Sequence, residues 1–183
     1  TATVTRIDFS NETTSVGNNL TQARYALAAT SSSSYGYFGG GFDPPHVATI
    51  DRIDFSNETT SPVTDTLSQE RRGLAAVSSS SYGYFGGGWH PPGSNYLSTV
   101  DRLDFSNETS VTDLGDLSTT RGRLAAVSSS SYGYFAGGES DAEAEITTID
   151  RIDFSTETTS APGNNLKAPD IDGIIGRNQL AAV

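Results

Sequence analysis

Few side chains in this sequence have the type and placement to do chemistry. Its two histidines, His46 and His90, and its one tryptophan, Trp89, fall in two segments, Phe42-Asp43-Pro44-Pro45-His46 and Trp89-His90-Pro91-Pro92-Gly93-Ser94-Asn95-Tyr96. Aromatic groups with few rotatable bonds, stiffened by Pro-Pro, suit contact with sugars or proteins. Phe42, His46, Trp89, His90 and Tyr96 are therefore candidate ligand-binding residues; the plainer alternative is that the rings pack on a neighbouring part of the protein. The two histidines stand at different offsets with no carboxylate at a shared ligand spacing, so no metal site is expected. A third segment at the matching place is acidic, Glu139 to Glu145 with Asp141 and Glu143 inside it. It lacks the Asp-x-Asp-x-Asp-Gly spacing of a dedicated calcium loop and reads as a solvated, charged tip.

Arg24, Arg71, Arg121 and Arg177 each stand three residues before a Leu-Ala-Ala segment and are expected to point toward one face. Guanidinium groups so placed could receive an acidic partner, since they bind carboxylates bidentately; the alternative is that they hold loop carbonyls or carboxylates and fix geometry. Catalysis finds no support. The chain has no cysteine, which removes thiolate nucleophiles. The Ser-Ser-Ser-Ser runs have no His and Asp at repeatable spacing, and no Gly-x-Ser-x-Gly elbow is present. Paired carboxylates recur throughout, as in a scaffold. A non-enzymatic protein without cofactor is expected.

The elements that must position these residues are repeats. Arg-Ile-Asp-Phe-Ser occurs at Arg6, Arg52 and Arg151, and at Arg102 with Leu for Ile, in steps of 46, 50 and 49 residues. A period of about 48 marks one supersecondary unit that must stack on its neighbours to bury its apolar face. Each unit has two fixed parts. One runs Leu-Ala-Ala-Val/Thr-Ser-Ser-Ser-Ser-Tyr-Gly-Tyr-Phe and closes on glycines, at Leu27, Leu74 and Leu124; small residues, a Ser turn and an aromatic run predict a hairpin. The other, as in Thr99 to Thr109, alternates Asp101, Leu103 and Phe105 with Arg102 and Asp104, the two-residue period of a strand. Arg102 and Asp104 share one strand face, and they and their counterparts are expected to form ion pairs between units. Asn-Glu-Thr at Asn11, Asn57 and Asn107 matches a glycosylation acceptor, but its recurrence at a hairpin position predicts a turn.

Four short antiparallel strands per unit, joined as a meander, predict an all-β fold of the β-propeller kind. The units are placed at about 24–67, 71–117 and 121–166, with 1–15 and 177–183 as partial units, all within a single repeat domain. The chain starts at a third strand and stops at a first one. That predicts a segment of a larger array, with a closed four-unit ring or an oligomeric ring as alternatives. Phe154 to Leu180 spans 26 residues against 18 or 19 elsewhere, and the extra stretch, Ala168 to Gly176, carries an Ile pair that could dock on another subunit or cover its own unit. The net charge of −11 argues against a nucleic-acid partner, which needs clustered Lys and Arg. No run approaches the roughly 18 apolar residues of a membrane span, so no membrane insertion is expected.

The order of features resembles the kelch repeat. The likeness rests on Arg121-x-x-Leu124-Ala125-Ala126-Val127, Tyr134-Phe135-x-Gly137-Gly138, and Ile149-Asp150-Arg151-Ile152-Asp153-Phe154 with Glu157-Thr158. In kelch blades these are the innermost strand, the second strand closing on a double glycine, and the third strand with its turn. The chain departs from that pattern in lacking the His after the Arg and the tryptophan after the turn. Ser-Tyr-Gly-Tyr-Phe-Gly-Gly-Gly also resembles repeat arrays of large virion proteins of marine bacteriophages. These resemblances imply a kelch-like propeller of about four four-stranded blades, or part of one, serving as a structural or adhesive virion component such as a tail fibre or decoration. Its location would be virion or extracellular, and its partners other virion subunits, itself, or a host surface glycan or protein. A secreted or cellular lectin-like propeller is the alternative.

Overall fold

A computed structural model describes residues 2–91, 95–111, 114–141 and 145–167. Arg177, the stretch 168–176 and the expected partial unit at 177–183 lie outside the described residues. The described chain is all-β and without helix. A hairpin, β1 (Thr5–Asp8) and β2 (Thr13–Val16), comes first. The first sheet holds β3 (Ala28–Ser31), β4 (Tyr35–Gly39), β5 (Thr49–Asp54) and β6 (Thr60–Thr66). Next come β7 (Ala75–Ser78) and β8 (Tyr82–Gly86), then a short ladder of β9 (Trp89–His90) and β10 (Asn95–Tyr96), then β11 (Val100–Asp104) and β12 (Ser110–Val111). The third sheet is β13 (Ala125–Ser128), β14 (Tyr132–Ala136), β15 (Ile149–Asp153) and β16 (Thr158–Ser160). Strand orders are β3-β4-β5-β6, β7-β8-β11-β12 and β13-β14-β15-β16, antiparallel throughout. Each sheet is thus a meander in chain order, with β9 and β10 forming a separate excursion from the second.

Adjacent sheets pack face to face, and the Tyr-Gly-Tyr-Phe-Gly strand shows how. Side chains alternate across a strand, so Gly83 and Phe85 face the first sheet while Tyr84 and Gly86 face the third. Phe85 fills the notch at Gly39, where a Cβ would stand 2.8 Å from its ring; Phe135 fills the notch at Gly86, at 2.7 Å. Tyr37 stacks on Phe105 at 5.1 Å and Tyr84 on Phe154 at 5.3 Å. Two core clusters result, one around Tyr37, Ile50, Leu67 and Phe85, the other around Tyr84, Val100, Leu124 and Phe135. The Ala-Ala pairs of β3, β7 and β13 leave room for these first strands to run side by side, and together they line an open depression.

The turn after each third strand is built from its own side chains. Asp104 accepts from the amide and hydroxyl of Ser106 at 2.8 and 2.7 Å, and Asn107 Oδ1 accepts from the amide and hydroxyl of Thr109 at 2.9 and 2.7 Å. This closes the turn and puts Glu108 at φ +59°, with Glu12, Glu58 and Glu157 at +58°, +60° and +54°. A left-handed backbone is uncommon for glutamate. Here it aims the carboxylate at the preceding unit: Glu108 takes hydrogen bonds from Arg52 at 2.7 Å and from the Tyr37 hydroxyl at 3.3 Å, and Glu157 from Arg102 at 2.6 Å and Tyr84 at 3.1 Å. Glu58 pairs with Arg6 in the same way. Ion pairs between units therefore exist, but with a different partner from the one expected. Asp54 and Asp104 are drawn back onto their own serines, and the turn glutamate of the next unit takes the arginine.

Gly86→Ala forces a Cβ into the Phe135 ring and should cost about 1–3 kcal/mol, read as a lower urea midpoint with unchanged slope. Asp54, Asp104 and Asp153 are held below the usual carboxylate range of 3.8, first by the serine hydroxyl and then by the serine amide. A carboxylate whose folded pKa is depressed stabilises the fold above its unfolded pKa and loses that contribution as pH falls through the folded value. Thermal midpoints should accordingly drop below pH 4, and Asp→Asn at these three positions should make the drop shallower.

Candidate functional site

Arg24, Arg71 and Arg121 are buried. Each guanidinium meets an aspartate on the third strand of its own unit: Arg24 with Asp51 at 3.1 Å, Arg71 with Asp101 at 2.8 Å, and Arg121 with Asp150. Each also donates to a backbone carbonyl, while its Nε is buried without a partner among the described residues. Arg24 donates to Phe38 at 3.0 Å, Arg71 to Phe85 at 3.2 Å and Arg121 to Thr148 at 2.8 Å. The aspartates also accept from the segment leading into each unit, from the amides of Thr21, Ser68 and Ser118 at 3.1, 2.9 and 3.1 Å. Burial lowers the pKa of all three arginines, and the facing aspartate opposes that shift. Of the two roles left open by the sequence, these contacts are the structural one. A guanidinium side chain with no exposed surface offers nothing to a ligand, so these three arginines are corrected out of the candidate binding set.

What the arginines fix is a shared loop face. The amides of Gly41 and Gly88 donate to the carbonyls of Arg71 and Arg121 in the following unit, at 2.8 and 2.9 Å. Gly73 donates to Ala26 and Arg123 to Gly73, both at 2.7 Å. The residue after each buried arginine pairs with the loop that follows the double glycine: Tyr25 with Phe42, Arg72 with Trp89, and Gly122 with Glu139. Gly40 and Gly41, at φ +68° and +112°, make the turn that permits this pairing.

On that face three of the candidates, Phe42, His46 and Trp89, form a continuous cluster with Tyr25. Tyr25 meets Phe42 at 5.4 Å, Phe42 meets His46 at 4.5 Å, and His46 meets Trp89 of the next unit at 4.8 Å. The Arg72 guanidinium lies 5.1 Å from the Phe42 ring centre and 4.8 Å from that of Trp89, and donates to the Tyr25 hydroxyl at 3.4 Å. His46 is buried beneath, and desolvation lowers its pKa. His90 stands apart, its Nδ1 2.7 Å from the Glu70 carbonyl oxygen and so serving as donor. Tyr96 bridges to the third unit. Its hydroxyl donates to Glu139, its amide donates to Asp141 at 2.9 Å, and its ring lies over Gly122, where a Cβ would be 2.8 Å away. Burial, then the Glu139 contact, pushes the Tyr96 pKa up to about 12. Glu139 also pairs with Arg123 at 2.9 Å. The acidic segment is thus not simply a solvated tip: two of its carboxylates tie the second unit to the third.

Tyr25, Arg72, Trp89, Tyr96 and Arg123 surround a cavity of about 540 Å³ floored by Gly73 and Gly122. Of the sequence candidates, Trp89 and Tyr96 line it, Phe42 and His46 support it from behind, and His90 lies outside the cluster. Tyr25, Arg72 and Arg123 escaped sequence reasoning. The signal that marks them is their variability inside a fixed frame, where Tyr25, Arg72 and Gly122 are equivalent positions, as are Ala26, Gly73 and Arg123. Among the described residues no group of three or more His, Asp or Glu side chains could hold a metal ion.

Asp101→Asn should strip Arg71 of its counter-charge and destabilise the chain by about 3 kcal/mol or more in urea unfolding, whereas replacing both partners by apolar residues should recover much of that loss. Compared with known proteins, the chain matches no family model and no curated protein.

Proposed function

We propose that the chain is a non-enzymatic repeat module of the kelch-like β-propeller kind, or a segment of such a propeller, acting as a structural and adhesive component of a phage virion. Its blades are the three four-stranded meanders, and their first strands gather around one depression as the innermost strands of a propeller do around its axis. The observation that carries the adhesive reading is the cavity on the loop face. Its walls come from three successive units, and its lining combines aromatic rings with guanidinium groups, the residue types richest in binding energy at recognition surfaces. A host surface glycan or a neighbouring subunit is the partner this face suits.

The same lining speaks against an enzyme. Among the cavity residues the titratable hydroxyl nearest a carboxylate is Tyr96, which donates to Glu139 and whose pKa lies near 12, far from what proton transfer at neutral pH asks for. A secreted or cellular lectin-like propeller shares the cavity and differs in its setting. Glycan-array binding by the chain, lost in Trp89→Ala, is the expected outcome for adhesion. Binding to no glycan, together with assembly into particles that Trp89→Ala leaves intact, would replace it with a purely structural role.

A further inference from the structure

Resting on the adhesive reading of the loop face, we infer that the cavity selects a carboxylated saccharide, with Arg72 as the residue that reads the carboxylate. Arg72 differs from most of the described arginines; Arg151, over the Tyr132 ring and outside the cavity lining, is the other one without a carboxylate within ion-pair distance. Arg24, Arg71 and Arg121 are each neutralised by an aspartate, Arg6, Arg52 and Arg102 by a turn glutamate, and Arg123 by Glu139. Among the described residues Arg72 has no carboxylate within ion-pair distance, in a chain of net charge −11. It is nonetheless held in place. Its backbone pairs with Trp89 in both directions at 3.1 and 2.8 Å, and its guanidinium sits against the Phe42 and Trp89 rings.

That arrangement is a preformed anion receptor of limited scope. Aromatic contact satisfies a guanidinium through its faces and leaves the N–H groups in its plane for a bidentate acceptor. Among the described residues one hydrogen bond is formed from that plane, the long one to the Tyr25 hydroxyl at 3.4 Å. A cation fixed by packing loses little side-chain freedom when it binds, which raises affinity for a matching anion. The rest of the lining suits a sugar ring rather than a bare anion. Tyr25 is 57% exposed, and the Tyr96 ring lies against Gly122 in the cavity lining, so both rings offer amphipathic contact surface beside the charge. A cavity of about 540 Å³ falls within the range of small-molecule sites and takes one or two sugar rings. Its second cation, Arg123, is already engaged by Glu139, which argues for a singly charged carboxylate over a multiply charged phosphate ligand.

The test compares matched probes by isothermal titration: trigalacturonate against its methyl ester, and sialyllactose against lactose. Binding of at least one acidic probe, tighter than its neutral partner and weakened about 10-fold or more by Arg72→Met, is expected. Arg72→Lys keeps the charge without the planar fork and should weaken the acidic probe too, while Trp89 fluorescence and the thermal midpoint report that the face is intact. Equal affinity for acidic and neutral partners, both lost in Trp89→Ala, would overturn the carboxylate assignment and leave the adhesive reading standing. Failure of both acidic probes to bind would overturn the assignment as well. Glycan-array binding to other sugars, or its absence, then decides the adhesive reading separately.

Discussion

Each unit of this protein depends on one buried pair of opposite charges. The aspartate of the third strand neutralises the arginine that precedes the first strand, and the arginine in turn collects a carbonyl from the second strand. Three parts of the unit are thereby fixed to one point. Removing two charges from water is expensive, and their attraction offsets the cost only when geometry and remaining hydrogen bonds are good. The pair therefore does less to deepen stability than to forbid alternatives, because any other path for the connecting loop would leave a charge buried alone. That constraint places the loop face. The residue beside each arginine emerges at a set position, so Tyr25 and Arg72 can meet across units although 47 residues separate them.

Between units the joining is of another kind. Phenylalanine rings enter glycine notches, tyrosines stack on the phenylalanine that opens the next turn, and glutamates in left-handed conformation reach back to arginine and tyrosine. Every one of these contacts runs from one unit to its neighbour, the pattern expected when repeats are stable only in company. Tyr37 and Tyr84 show its strength. Burial and the nearby glutamate push both phenols far above their ordinary range.

Much of this architecture was legible in the chain. Alternation in Asp101 to Phe105, the Ser runs, the double glycines and the Ser-Asn-Glu-Thr turns lie where strands and turns are found, because each carries a local physical signal. The long-range choices carried none. Arg102 and Asp104 share a strand face, yet Asp104 finds Ser106 two residues away sooner than it finds another unit, and glutamate is no obvious occupant of a left-handed turn position. The site was half readable. Trp89 and Tyr96 stand out by type in variable loops, whereas Tyr25, Arg72 and Arg123 are ordinary residues distinguished only by how the units fold against one another. The arginines of the fixed frame drew attention for being repeated, and repetition proved to mark scaffold.

The half-exposed arginine–glutamate contacts of the turns differ from the fully buried arginine–aspartate pairs in how they meet dissolved ions. Charges in contact with water are screened at short range once salt approaches seawater concentration, and charges sealed from water hardly at all. Brine should thus weaken the charged contacts between neighbouring sheets while leaving each sheet's own anchor, and the apolar rings packed between sheets, untouched.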